Sequence, residues 1–414
     1  MAGRVPTVAS RVAILGLPRE NGVARSERNA QPDGKEDIRG RPMKRQLLVV
    51  SAALALAGCA GTGVCWGARA DGNAPASSSQ SRRASWKFAV SGDSRNCGDV
   101  VMPAIAGRVN QSGALFYWHL GDFRKMAGVD EDIQRQPEHI SQPLAVPEYQ
   151  DLAWKDFLES QIAPFASLPV YLGIGNHETA RKTRAQFVAQ FREWLDAPKL
   201  RAQRLQDDPH DLQPKTYYHW VEGGVDFINL DNATEDQLDS EQLAWFEKTL
   251  RSARANRGIR AIVVGMHEAL PESISKNHSM NQSATGTESG QCVYADLLRA
   301  RNAKRKPVYV LASHGHYFMA GVFNTPYWRD HGGILPGWIV GTAGAQRHAL
   351  PEGAGSARTA ETNVYGFLAG TVNAKGNIEF TFEHVSEPEV PAAVVARYSP
   401  EFVHWCFAEN SAAH

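Results

Sequence analysis

The chain has 414 residues, of which 43% are hydrophobic and 21% charged. That is ordinary globular composition, with room for one large domain or two small ones. Lys and Arg together number 44, as do Asp and Glu, so bulk charge gives no reason to expect a nucleic-acid partner and none is expected.

Residues 1–42 are rich in Arg, Gly and Asn without a sustained period, and they read as disordered or as an over-extended gene start. Met43-Lys44-Arg45 then opens a basic segment. Leu47–Ala57 is apolar but too short to span a bilayer, and it runs into Leu56-Ala57-Gly58-Cys59. Residues 43–58 so resemble a bacterial lipoprotein signal peptide. The resemblance implies lipidation of Cys59, export, and a lipid anchor in the bacterial cell envelope. With Ala60 following, it implies the periplasmic face of the outer membrane where there are two membranes. The alternative is a plain signal peptide with a chance cysteine. Cleavage before Cys59 would remove ten Lys/Arg and five Asp/Glu, leaving a net acidic chain. The Gly/Ala/Ser-rich residues 59–85 read as a flexible tether.

From residue 86 strand-like runs alternate with helix-like ones, predicting an α/β domain over 86–390. Phe88–Asp93 reads as a strand, Val100–Val109 as a crossover helix, and Leu115–Asp122 as a second strand. Ala127–Val146 reads as a loop. Glu148–Phe165 and Thr183–Leu195 have helical spacing, with strand Val170–Gly175 between them. Ala197–Pro214 reads as a second loop. Tyr217–Leu230 is a hairpin around Glu222-Gly223-Gly224, and Asp239–Ala255 is an amphipathic helix. After strand Ala261–His267 comes a Ser/Asn/Thr-rich loop, Pro271–Gln291, expected as part of a substrate rim or as solvated filler. A short helix at Tyr294–Arg301, a strand at Val308–Ser313, and late strands at Trp338–Gly344, Val364–Val372 and Ile378–His384 complete the domain. Residues 391–414 are a C-terminal extension. Gly341–Gly344 lacks the Lys-Ser/Thr of a P-loop and reads as a tight turn.

Besides Cys59 the cysteines are Cys65, Cys97, Cys292 and Cys406, and an exported location permits disulfides. A Cys97–Cys292 bridge would pin two loops beside the site, one of three complete pairings open to four cysteines.

The chemistry-bearing residues end greasy runs: Asp93, Asp122, Asn176-His177, His267, and His314 with His316. Strand ends are where an α/β sheet collects ligands, and this mixture of oxygen and nitrogen donors suits a hard-to-borderline metal. Taken in order, Gly92-Asp93, Gly121-Asp122, Gly175-Asn176-His177-Glu178, His267 and His314-Gly315-His316 resemble the calcineurin-like metallophosphoesterases, a superfamily that includes purple acid phosphatases. The resemblance implies a four-layer α/β/β/α sandwich of two mixed sheets. It also implies two divalent or trivalent ions (Fe, Mn or Zn), with Asp122 bridging them. Asn176, His267 and His314 would complete one site, and Asp93 and His316 would serve the other. A metal-activated hydroxide would attack phosphorus, and His177 would protonate the leaving oxygen or stabilise the transition state. Glu178 would orient the loop. The substrate would be a phosphorylated small molecule or envelope component. Neither monoester against diester nor oligomeric state is readable.

The chain departs from the family pattern at Asp93-Ser94-Arg95, where Asp-x-His is usual, and at Lys125. One reading has Arg95 and Lys125 binding phosphate oxygens beside a weak first metal. The other has the first metal absent and a cation filling its place. Asn96 is a further candidate ligand. The rival function is a catalytically degenerate fold that binds a phosphorylated ligand or a partner protein in the envelope. His119 reads as a core residue, and His278 is given no role. His331 and His348 flank late loops, with the rim of the site as the alternative to a surface position.

Overall fold

The computed structural model describes residues 85–233, 238–304 and 306–411. The signal-like segment, Cys59, Cys65 and all of the tether before Ser85 lie outside the described residues.

Twelve strands are formed among them: β1 (Trp86–Ser91), β2 (Ala114–His119), β3 (Val170–Leu172), β4 (Tyr218–Glu222), β5 (Val225–Asn229), β6 (Ala261–Gly265), β7 (Val308–Ala312), β8 (Phe318–Ala320), β9 (Gly337–Val340), β10 (Thr359–Glu361), β11 (Tyr365–Val372) and β12 (Ile378–Val385). They make a five-stranded sheet in the order β12-β11-β1-β2-β3 and a seven-stranded sheet in the order β10-β8-β9-β7-β6-β5-β4. Both are mixed. β1, β2 and β3 run parallel, with β11 antiparallel to β1. β5, β6, β7 and β9 run parallel, with antiparallel strands at both edges.

The sheets face one another across an aromatic core. Phe88 and Phe116 of the first sheet stack at 5.4 Å, and both meet Phe227 of the second edge-on at 5.0 and 5.1 Å. Phe318 and Phe382 stack across the other end at 4.3 Å. Such pairs add roughly 0.5–1.5 kcal/mol each beyond their burial. Trp118 reaches the second sheet because Gly265 has no side chain: a Cβ there would fall on the indole ring. The indole N–H then donates to Asn229 Oδ1 at 3.1 Å, so its polar atom is satisfied in the core.

Helices cover the outer faces. Gly98–Ser112 packs on β2, β11 and β12. It ends where Gly113 turns left-handed at φ 73°, a conformation glycine adopts without a Cβ clash. Ser240–Ala255 is capped by the Asp239 carboxylate and buries Phe246, Leu250 and Ala253. With Ala284–Lys304 it closes a second apolar layer that includes Ile262, Val264 and Val310. The result is the expected α/β/β/α sandwich of two mixed sheets.

Four expectations need correction. Ala127–Val146, read as a loop, contains a one-turn helix, Glu131–Gln134. Ala197–Pro214 contains a helix, Pro198–Asp207, of which only Leu200 is buried, so no apolar stripe marks it. The rim loop after His267 ends at residue 283, because helix Ala284–Lys304 starts within its Ser/Thr/Gly-rich half. The disulfide joins Cys97 to Cys406, and Cys292 is a free, exposed thiol. Cys292 sits on the outer helix of the second sheet. Cys97 lies beneath helix Pro400–Ala408 of the C-terminal extension, which carries Cys406.

Candidate metal centre

The chemistry-bearing residues lie just past the C-terminal ends of parallel strands: Asp93 after β1, Asp122 after β2, Asn176 and His177 after β3, His267 after β6, and His314 and His316 after β7. The backbone is bent sharply to aim them. Asp93, Asp122 and His314 have φ of 60°, 59° and 62°, left-handed values uncommon outside glycine. Gly121 at φ 95° lies against the Gly175 backbone, which allows the second and third loops to touch.

Glu178 locks those two loops together. Its carboxylate accepts from Asp122 N, Phe123 N and Gly175 N, each at 2.8 Å. Burial and the charge of Asp122 push its pKa up, against the pull of the three N–H donors. Asn232 does the same for the His267 turn, accepting from His267 N and Glu268 N at 3.1 Å. His119 is fully buried and structural, as expected: it accepts from Gly121 N and bonds to Ser94 Oγ at 3.0 Å. Burial lowers its pKa to about 3, which keeps the ring neutral.

Four potential ligand atoms converge. His267 Nε2 lies 2.9 Å from Asn176 Oδ1, 3.0 Å from His314 Nδ1 and 3.4 Å from Asp122 Oδ1. Atoms bound about 2.1 Å from a common ion at tetrahedral angles stand about 3.4 Å apart, so the spacing approaches that of a coordination shell. The tautomer of His267 is suited as well. Its Nδ1 faces Leu120 O and Ser313 Oγ, at 3.1 and 3.0 Å, leaving Nε2 for the cluster. Burial lowers the His267 pKa, but Asp122 and Asp93 raise it further, for a net upward shift. Burial, reinforced by His267, holds the His314 pKa well below the usual histidine value, so that ring is neutral. Asp122, His267 and His314 present donor atoms all within 4.8 Å of one another. The donor set and its packing fit a metal ion.

The neighbouring position is different. Arg95 extends its guanidinium between His177, His316 and Asp122. Nη1 donates to His177 Nε2, Nη2 donates to His316 Nε2 at 2.8 Å, and Nε lies 3.5 Å from Asp122 Oδ2. Asp93 Oδ1 is 3.2 Å from His316 Nε2, and Asp93 Oδ2 accepts from His314 N at 2.8 Å. Burial opposes ionisation of both aspartates, yet the surrounding His and Arg side chains prevail, holding Asp93 well below its usual pKa and Asp122 at about 2. The lone pair of His316 that a metal would need is engaged by Arg95, so this donor set does not fit an ion as it stands. Neither Asn96 nor Lys125 supplies a replacement. The Asn96 amide is held by Glu131 and Gln346, and Lys125 Nζ lies 3.8 Å from Glu131 Oε1.

Two residues given no firm role by sequence line the site. His348 stacks on His316 at 3.8 Å and on His278 at 4.9 Å, and His278 meets His314 at 5.3 Å. Nothing local marks them. His278 belongs to the loop read as a rim, and His348 flanks a late loop for which the rim was the alternative; those placements were the signals.

The chain matches no family model and no curated protein. Several solved structures are similar. A purple acid phosphatase from yellow lupin (Lupinus luteus) seeds is 16% identical, over 73% of this chain and 52% of that one, with a TM-score of 0.42. The protein PhoD is 15% identical, over 73% and 72%, with a TM-score of 0.45. A dimetal phosphatase from Danio rerio is 10% identical, over 73% and 99%, with a TM-score of 0.43. The chain spans about half the length of the lupin protein.

Proposed function

We propose that this chain is a metal-dependent phosphoesterase, exported and held to the cell envelope by a lipid on Cys59. The observation that carries the reading is the convergence of Asp122 Oδ1, Asn176 Oδ1, His267 Nε2 and His314 Nδ1 beside an arginine and a further histidine. Those four residues would hold one ion. When bound, such an ion polarises a phosphoryl oxygen and lowers the pKa of water enough to make it a nucleophile near neutral pH.

The protein's own groups do the rest. Arginine has five N–H donors in a fork matched to phosphate. Arg95 commits one each to His177 and His316, leaving others for phosphoryl oxygens. His177 is aimed by its backbone N–H, which donates to Asp122 Oδ1 at 2.9 Å. While Arg95 donates to its ring, His177 is neutral. Once that donor has turned to substrate, the freed Nε2 could take up a proton from solvent and pass it to the leaving oxygen. The substrate would be a phosphorylated small molecule or an envelope component. Export is supported by the lipoprotein-like segment and by a disulfide, which persists in oxidising compartments. No helix among the described residues is long and apolar enough to cross a membrane.

The test is hydrolysis of p-nitrophenyl phosphate and bis-p-nitrophenyl phosphate by protein stripped of metal and refilled with Mn, Fe or Zn. Replacing Asp122 by Asn should lower turnover by at least the roughly 10–100-fold typical of disturbing a metal's outer shell, and should reduce metal content. Retention of both would sink the assignment. A second reading, binding of a phosphorylated ligand without turnover, is favoured by one observation: Arg95 already engages His177. Tight metal and phosphate binding with no hydrolysis in any metal form would select it.

A further inference from the structure

The family pattern calls for two ions, but among the described residues one cluster of donors is free to receive one. At the neighbouring position Arg95 already meets His316 and lies against Asp122. His316 Nδ1 is 2.6 Å from Gln346 O, which fixes a proton there and leaves the Nε2 lone pair pointing inward, where Arg95 Nη2 meets it at 2.8 Å. Asp122 Oδ2 is buried without a hydrogen-bond donor, and so is Asp93 Oδ1. Arg95 Nε is likewise buried without an acceptor and is 3.5 Å from Asp122 Oδ2. The side chain is 12% exposed, so the guanidinium is part of the packed site rather than a surface group reaching over it.

The positive charge cannot be removed, because arginine stays protonated in proteins. The backbone that carries it is held as well. Asn96, the next residue, is pinned by Asp130, which accepts its N–H at 3.1 Å, and by the disulfide that follows at Cys97. A divalent ion placed among Asp93, Asp122 and His316 would meet a like charge close by and compete with it for the His316 lone pair.

We infer that the Arg95 guanidinium is the resident cation of the first metal position, so that the chain binds a single ion at Asp122, Asn176, His267 and His314. Arg95 then supplies the second positive centre that a phosphoryl group would meet. This rests on the reading of the four-donor cluster as a metal site, and it does not require turnover.

The test is the metal content of tag-free full-length protein. Metal-stripped protein is titrated with Mn2+ by calorimetry, with elemental analysis after gel filtration. The wild type should bind one tight ion per chain and His267→Ala none. Arg95→His should gain a second ion. The Mn2+ electron paramagnetic resonance signal should be that of an isolated ion in the wild type and of an exchange-coupled pair in Arg95→His. Two tight ions in the wild type would overturn the inference while leaving a metallophosphoesterase standing. So would a folded Arg95→His protein that still binds only one. A single ion without phosphoesterase activity would support the inference and defeat the proposed reaction. No tight ion at all would defeat both. The wild-type stoichiometry decides even where the variant fails to fold.

Discussion

At the scale of single residues, the centre depends on groups that never touch an ion. Gly175 shows this best. A Cβ built there would collide with the Asp122 carboxylate and lie 2.5 Å from Asp122 N, inside any normal contact. Either the third loop must move away or Asp122 must turn, and Asp122 presents Oδ1 to the metal cluster while Oδ2 faces Arg95. Gly175→Ala is therefore expected to weaken metal binding by about 10–100-fold, as outer-shell changes do, with far-UV circular dichroism unchanged. Metal affinity equal to wild type in the folded variant would show that the two loops have slack. Gly341 stands in the same relation to Asp93, since a Cβ there would come within 2.8 Å of Asp93 Oδ2. The glycines preceding Asp93, Asp122 and Asn176 were visible in the sequence as punctuation after greasy runs. Their reason is the close approach of neighbouring loops, Ser313 at Gly92, Gly175 at Gly121 and Asp122 at Gly175, which only the fold supplies.

At the scale of elements, the loops after β1 and β2 are joined by a buried ionic cluster. Arg124 has no exposed surface and is paired with Asp99, Asp132 at 3.0 Å, Asp156, and Asp130 at 3.8 Å. Asp130 accepts from Asn96 N and Lys125 N, and Asp132 accepts from Asp99 N. Arg124 thus holds the acids that hold the Arg95 and Lys125 loops. Removing it leaves several buried carboxylates without a counter-charge, and Arg124→Leu should cost roughly 3–5 kcal/mol in urea denaturation. The pH dependence has a definite sign. Burial raises the pKa of Asp132 well above its ordinary value and that of Asp156 to about 6. The folded state therefore holds protons that the unfolded chain would release, and stability falls as pH rises through that window. The deficit of Arg124→Leu should be smaller at pH 5 than at pH 8, and an equal deficit would mean that the acids are not the reason for it.

Legibility at this scale followed burial. β1, β2, β6 and β7 are apolar runs followed by a polar residue, and their places and order could be read directly, although each strand stops short of the residue that closes its run. The hairpin turn was readable because both Gly223 and Gly224 need positive φ, at 52° and 82°. β8 and β10 are three residues each, too short to carry a period. The Arg124 cluster was missed because its acids are scattered from residue 99 to residue 156 and meet only when the loops close. The approach of Arg95 to His316 is likewise a contact between residues 221 apart in the chain. The resemblance implied a cation, Arg95, where a histidine ligand is usual, but not where the cation would point.

At the scale of the whole domain, the last described elements return to the first. β11 and β12 extend the sheet begun by β1, and helix Pro400–Ala408 is joined to Cys97 by a disulfide spanning 309 residues of sequence. Asn410 reinforces the junction, its side chain reaching Gly344 O at 3.3 Å and Tyr365 Oη at 2.9 Å. Cys97 lies two residues from Arg95 and opens helix Gly98–Ser112, so the link clamps the loop that carries the guanidinium. Closing so long a loop restricts the unfolded chain, and native disulfides typically contribute roughly 2–5 kcal/mol. Cys406→Ser should lower the unfolding free energy by about that amount, measured with the wild type under non-reducing conditions. Both sulfurs are buried, which makes the variant a cleaner comparison than added reductant. Non-reducing peptide mapping supplies the independent check. A Cys97–Cys406 peptide with a free Cys292 is expected, whereas a Cys97–Cys292 peptide would restore the pairing suggested by loop proximity. Loss of the link should also loosen Arg95. If Arg95 keeps a second ion out, Cys406→Ser should bind that ion weakly where the wild type excludes it, which ties the closure of the domain to the occupancy of its centre.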